Sequence, residues 1–271
     1  MAATYKVRAH NSSTESDNRI HSDEVARRYG FRGGLVPGVT VFAYMTRPVV
    51  ARHGASWLER GWAEVSFAKP AYEGELLSVG AAAPGGKADG GAAWTCTNEA
   101  GVEVASMQAG IPVSAPAPDP RASIAPAAPL TERPEATRDS MRIGEPFPAL
   151  SWNPTADDNL AWCDDVRDGL PLYREGLLHP GLVLRQANFV LKNRFVLPAW
   201  IHTASRITFH HALRAGTAYE VRAIPEEKWE RKGHEFVRLY VAVRSGERVM
   251  AEVIHTAIYR PRTDPPRQGT G

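Results

Sequence analysis

Between positions 38 and 53, apolar side chains recur at Val39, Val41, Phe42, Ala43, Tyr44, Met45, Val49 and Val50. No wide polar face is left, so the stretch is predicted to be a helix enclosed by other structure rather than laid on a surface. Pro37 suits its first position, and Pro48 is expected to kink or end it. A shorter helix precedes it. Ser22 occupies an N-cap position, Asp23 and Glu24 complement the helix dipole, Val25 and Tyr29 share a face, and Gly30 acts as a stop. His21 therefore falls just outside a helix N-terminus, and Phe31-Arg32-Gly33-Gly34-Leu35-Val36-Pro37-Gly38 leads into the apolar helix. Elsewhere the period changes to two. Strands are predicted over 5–10, 62–68, 76–82, 92–97 and 102–111, with Asn98-Glu99-Ala100-Gly101 as a hairpin turn.

The order then repeats. Leu177-Leu178-His179-Pro180-Gly181 echoes Gly34-Leu35-Val36-Pro37-Gly38, and 182–196 supplies a second largely apolar helix. Arg206-Ile207-Thr208-Phe209 with Gly216 echoes Glu64-Val65-Ser66-Phe67 with Gly74. Pro37 and Pro180 are 143 positions apart, Phe67 and Phe209 142, and Gly74 and Gly216 142. A near-constant offset through turn, helix and strand indicates an internal duplication. Strands at 219–224, 236–244 and 249–259 complete the second copy. The expected organisation is an N-terminal unit over 1–112, a Pro/Ala-rich linker over 113–142, a C-terminal unit over 143–262 and a disordered tail over 263–271.

Composition narrows the function. With 271 residues and 43% hydrophobic side chains the chain can build two cores. Its 32 basic and 30 acidic groups leave a net charge of +2, too little to indicate nucleic acid or an acidic membrane as partner. Cys96 and Cys163 fit no paired spacing and read as free thiols in a reducing compartment. Polar residues interrupt the N-terminus before any signal-like apolar run, and no window reaches the roughly 20 apolar residues of a membrane helix, so a cytoplasmic location is expected.

The stretch Ser16 to Gly54 resembles the MaoC-like, (R)-specific enoyl-CoA hydratase branch of the hotdog fold. The family motif runs Asp-x-Asn-Pro-aliphatic-His into a short helix and a glycine-rich turn. Asn18, Ile20 and His21 match it, Arg19 stands for the proline, Ser16 stands for the catalytic aspartate, and Glu15 and Asp17 flank that position. The resemblance implies an α+β double hotdog, in which two curved antiparallel sheets each wrap a central helix and a substrate tunnel follows their interface. One chain would imitate a dimer, and such chains often dimerise further. The substrate implied is a coenzyme A or acyl carrier protein thioester, with no cofactor beyond the coenzyme A that the substrate carries. The second copy also looks like the mesaconyl-type hydratases from Ala149-Leu150-Ser151-Trp152-Asn153 onward, but 154–160 holds no histidine and Trp162 falls opposite His21. Catalysis is therefore expected in the first copy.

Thioester chemistry needs donors for the carbonyl oxygen and a base. The amide of Gly38, at a buried helix start, is the candidate donor, with Pro37, Val36 and Ser16 beside it. His21 is the candidate base and Asn18 the group that orients water or substrate. Asp17 or Glu15 is the possible replacement carboxylate. His179, Arg185 and Gln186 of the second copy are candidate substrate contacts; Arg185, Gln186 and Asn188 suit either a substrate carboxylate or amide or an interface between the two halves. Arg28, Arg32, Lys69 and Arg206 are available for phosphates. His210 and His211 are adjacent on a strand and point apart, and no spacing matches a metal site. The sequence favours hydration or dehydration of a 2-enoyl or 3-hydroxyacyl thioester. Thioester hydrolysis is the alternative, although 38–53 contains no Asp or Glu, and a non-catalytic acyl-binding module is a third.

Overall fold

In the computed structural model, which describes residues 4–14, 16–82 and 91–262, the period-two segments become strands of a single antiparallel sheet. The first half supplies β1 (Tyr5–Arg8), β2 (Trp62–Phe67), β3 (Leu76–Ala81), β4 (Gly91–Thr97) and β5 (Glu103–Gly110). The second supplies β6 (Leu150–Trp152), β7 (Ile201–Phe209), β8 (Tyr219–Arg231), β9 (His234–Ser245) and β10 (Arg248–Arg260). Their order is β1-β3-β4-β5-β2-β7-β10-β9-β8-β6. Read inward from its own edge, each half has the same connectivity, which is the duplication seen as topology. The two sheets expected are thus two halves of one, joined where β2 pairs with β7. At that seam Glu64 lies opposite Arg206, its own counterpart at an offset of 142, so the local two-fold axis passes through this pair.

Each half wraps one helix: α2 (Gly38–His53) in the first and α6 (Pro180–Arg194) in the second, and the two touch across the interface. Phe42, Tyr44, Met45 and Val50 are fully buried on α2, as are Leu184, Ala187 and Leu191 on α6. Burial of each large apolar side chain contributes about 2 kcal/mol, which explains why a helix with no polar face is stable here. α2 does not end at Pro48 but carries it inside and runs on to His53. Packing on all sides offsets the missing hydrogen bond. The smaller helices are α1 (Asp23–Arg28), α3 (Ala55–Arg60), α4 (Ala156–Asp165) and α5 (Pro171–Arg174).

The Pro/Ala-rich segment crosses the outer face of the second half. It forms a 3-10 turn at Pro120–Ser123, where Ala122 packs against Tyr240, Ala242 and Val249 and its carbonyl accepts from Arg244 Nη1 at 2.6 Å. Cys96 and Cys163 are buried and unpaired, and burial raises both thiols to about 12. No helix among the described residues is long and apolar enough to cross a membrane. The tail expected over 263–271 lies outside the described residues.

Three buried histidines, His179, His202 and His255, and the partly buried His21 are held neutral by desolvation, His21 at about 4 and His255 at about 3. Unfolded, they would titrate near 6.5. Below that pH the unfolded chain therefore takes up protons that the native chain refuses, so stability is complete above about pH 6.5 and is lost as pH falls toward 4. His21 alone accounts for about 3 kcal/mol over that range. Urea unfolding at pH 7.5 and pH 5 is expected to show a clearly lower midpoint at pH 5. An unchanged midpoint would contradict neutral burial of these rings.

Candidate active site

The loop before α1 is built to present one imidazole. Asn18 caps a 3-10 turn over Arg19–His21, and Ser22 caps α1, with Val25 N donating to its Oγ at 3.4 Å. The chain then returns beneath His21 so closely that a Cβ on Gly34 would lie 2.1 Å from the His21 carbonyl oxygen. That crossing requires glycine. The return brings the Leu35 carbonyl 2.6 Å from His21 Nδ1. A carbonyl only accepts, so Nδ1 carries the proton and Nε2 keeps a lone pair. Asn18 Nδ2 donates to that lone pair at 3.2 Å. The same amide is held by the second half, donating to the Trp200 carbonyl at 2.9 Å and accepting from Trp200 N at 3.1 Å. Its orientation is therefore fixed, and the carbonyl of Leu35 only partly offsets the desolvation that lowers the His21 pKa.

A cavity of about 310 Å³ opens beside this pair, between the two halves. The first half contributes Ser16, Asp17, Asn18, His21, Val36, Pro37 and Gly38, with Ile20, Phe31 and Phe67 as apolar wall. The second contributes Arg185, Asn188, Phe189 and Lys192 from α6, Trp200 from just before β7 and His202 from its start. Thr40 N and Val41 N both donate to the Pro37 carbonyl, so the amides of Gly38 and Val39 precede the first intrahelical bonds. Pro37 offers no capping side chain. The positive end of α2 is left facing the cavity.

The second half closes the corresponding place. Its α6 is capped by His179, whose Nδ1 accepts from Gly181 N at 3.0 Å and from Trp162 Nε1 at 3.1 Å. Nε2 then carries the proton and faces Asp168 at 3.3 Å. The Trp162 indole packs where a Cβ on Gly181 would meet it at 2.9 Å. Helix-start amide and space are both taken. Leu35 bridges to Tyr72 as Leu177 does to Arg214, so the structural offset is 142 at this point. His179 thus occupies the N-cap place of Pro37, and the Pro-Gly echo in the sequence is one residue out of register.

His179 and Gln186, expected as substrate contacts, do not line the cavity. His179 is spent on the helix cap and Asp168, and Gln186 turns back to donate to the Leu182 carbonyl at 3.1 Å. Arg185 does line it, with its guanidinium carbon 4.9 Å from the Trp162 ring centre and 5.0 Å from that of Phe189, and with no carboxylate in ion-pair range among the described residues. Asp17 sits on the rim, paired with Lys192 at 2.5 Å. Glu15 lies outside the described residues. Of the four cations considered for phosphates, Lys69 reaches the cavity, whereas Arg28 and Arg32 pair with Glu24 and Glu75, and Arg206 faces Glu64 at the seam. Trp200, His202, Phe189 and Lys192 were not legible as site residues. No cluster of three or more metal-ligating side chains occurs among the described residues.

No family model matches the sequence, and no curated protein matches it either. Solved structures do match. A protein of Chloroflexus aurantiacus J-10-fl named for a MaoC domain dehydratase superposes with a TM-score of 0.66 at 12% identity, over 97% of this chain and 96% of that one. RV0216 of Mycobacterium tuberculosis, a double hotdog protein, superposes with a TM-score of 0.61 at 15% identity, over 95% and 94%. The fold is a double hotdog. A Novosphingobium aromaticivorans protein named for thioesterase activity matches with a TM-score of 0.51 at 13% identity, over 96% of each chain. Chains that superpose on this one over nearly their full length are thus named for dehydration and for thioester hydrolysis, and the match carries the fold alone to this chain.

Proposed function

We propose that this protein is a hydratase or dehydratase of 2-enoyl or 3-hydroxyacyl thioesters, working at the first-half site. The observation that carries the reading is the pairing, in one largely apolar cavity, of an uncapped helix start with a neutral histidine whose Nε2 lone pair is free of any carboxylate. The thioester carbonyl is set against the Gly38 and Val39 amides, which stabilise the oxyanion that forms as water adds to C3. Water enters between Asn18 Nδ2 and His21 Nε2 and replaces the 3.2 Å hydrogen bond between them, so that Asn18 donates to the water and the water donates to Nε2. The water gives its hydroxyl to C3 and a proton to His21 Nε2, and the imidazolium returns a proton to C2, so the proton count closes within the site. A ring that burial makes a weak base is a correspondingly strong acid, which favours the return step. The substrate is carried by coenzyme A or an acyl carrier protein, with Lys69 beside the cavity for its phosphates. The buried free thiols fit a cytoplasmic location.

Hydrolysis is less well supported, because the only described carboxylate lining the cavity, Asp17, is exposed and tied to Lys192. The test is incubation with crotonyl-CoA and trans-2-octenoyl-CoA, followed by mass spectrometry. One added water with the thioester intact is expected. Free coenzyme A would instead establish a thioesterase, and an unchanged substrate bound to folded protein would establish a binding module.

A further inference from the structure

The start of β7 holds a buried polar chain that the mechanism above does not use. Across β7 and β10, Thr256 pairs with Ala204 while Ala257 pairs with His202, so Thr203 is an extra residue, a β-bulge. The bulge lets His202 and Ser205, three apart, turn the same way, and His202 Nε2 lies 2.8 Å from Ser205 Oγ. Ser205 Oγ in turn lies 3.0 Å from Nδ1 of His255, its cross-strand partner. All three residues are buried.

Counting protons restricts what this chain can be. Neutral, it holds three exchangeable protons: one on each imidazole and one on the hydroxyl. The two internal hydrogen bonds use one each. When the hydroxyl proton is used inside the chain, the remaining ring proton sits at one end, on His202 Nδ1 or on His255 Nε2, and neither atom has a hydrogen-bond partner among the described residues. An orphaned buried polar atom is costly unless something completes it. The His202 ring lines the cavity, and its Nδ1, itself covered from solvent, packs against the first residue of α2, where a Cβ on Gly38 would come within 3.0 Å of it. The uncapped helix start and the orphaned nitrogen therefore converge on one point from opposite halves of the chain.

We propose that His202 is a second donor to the thioester carbonyl oxygen, acting from Nδ1 beside the Gly38 amide, with Ser205 and His255 as positioning residues that place the proton at that end. The inference deepens the thioester reading and rests on it. A carbonyl oxygen at this point selects the state in which His255 Nδ1–H donates to Ser205 Oγ, Ser205 Oγ–H donates to His202 Nε2, and His202 Nδ1–H faces the ligand. Each ring stays singly protonated and no net charge is created, because the proton taken up at His202 Nδ1 is matched by one given up from His255 Nε2. A neutral imidazole polarises the carbonyl without the desolvation cost of a buried cation.

Butyryl-CoA, which has no double bond to hydrate, is the probe. Infrared difference spectra with a carbonyl-labelled thioester are expected to show the bound stretch displaced to lower frequency than in solution. In His202→Leu, folded by near-ultraviolet circular dichroism, at least half of that displacement should vanish. His202→Asn, whose amide nitrogen approximates Nδ1, should retain most of it. With crotonyl-CoA the leucine variant should lose about 10²-fold in kcat with little change in KM, the loss typical of one oxyanion donor. If His202→Leu fails to fold, nitrogen-15 spectra of histidine-labelled wild-type protein with butyryl-CoA decide the matter. A proton on His202 Nδ1 in the complex supports the proposal, and a proton on Nε2 alone overturns it. An equal carbonyl displacement in wild type and His202→Leu also overturns it. Failure of wild type to bind butyryl-CoA would instead remove the thioester reading itself.

Discussion

His21→Gln is expected to lower kcat for crotonyl-CoA hydration by 10²- to 10⁴-fold, the usual range for loss of a general acid-base group, and to change butyryl-CoA affinity only a few-fold. The reasoning is local. His21 Nε2 is the basic atom that the structure places beside the helix start with no competing ion, and glutamine fills similar space without a basic nitrogen. Asn18 stays in place, because its amide is held by both backbone groups of Trp200 and does not depend on His21. The carbonyl seat at Gly38 is untouched, so binding survives. Steady-state kinetics and titration of butyryl-CoA into the same preparation check both halves of the statement. A variant that keeps wild-type kcat would remove His21 from the chemistry.

Gly34→Ala is expected to cost about 3 kcal/mol or more and to disable the site with the fold largely intact elsewhere. The added methyl would stand 2.1 Å from the carbonyl oxygen of His21 and 2.8 Å from its carbon, both backbone atoms that no rotamer change can move aside. Relief requires the two loop segments to separate. That breaks the Leu35 N to Ile20 carbonyl bond and the Asn11 Nδ2 bond to the His21 carbonyl, and it draws the Leu35 carbonyl away from Nδ1. The proton that defines the useful tautomer then loses its anchor. Urea unfolding measures the stability loss, and hydrogen exchange should locate the loosening at residues 18–36. Gly30→Ala is the control: its positive φ is a strain on any side chain, but nothing lies within 4 Å of the added carbon, so its cost should be smaller.

The large features were legible because they repeat or alternate. The enclosed helices, the meander after each and the 142-residue offset are consequences of burial pattern, and the sheet order repeats them in space. What was missed has local causes. β7 begins at Ile201, but the bulge at Thr203 breaks the alternation, so only its end at 206–209 reads as a strand. His202 was hidden with it. His179 looked like a site residue because Pro180-Gly181 copies Pro37-Gly38 in letters, whereas backbone bonds shift the true correspondence by one. Trp162, expected opposite His21, closes the second helix start by packing and hydrogen bonding, which a residue's type alone does not announce. The linker over 113–142 has no periodicity because it meets the sheet at separate points rather than along a face.

The pair at the seam of the sheet has a consequence for how such a chain can change. In an assembly of two identical copies, whatever residue lies on the dyad must face itself, so a charge there is repelled by its own image. Covalent fusion lifts that constraint: the position becomes two, Glu64 and Arg206, free to take opposite signs. The same liberty lets one helix start be plugged while the other stays open. Symmetry kept the scaffold, and its loss at a few positions left a single chain with one open helix start.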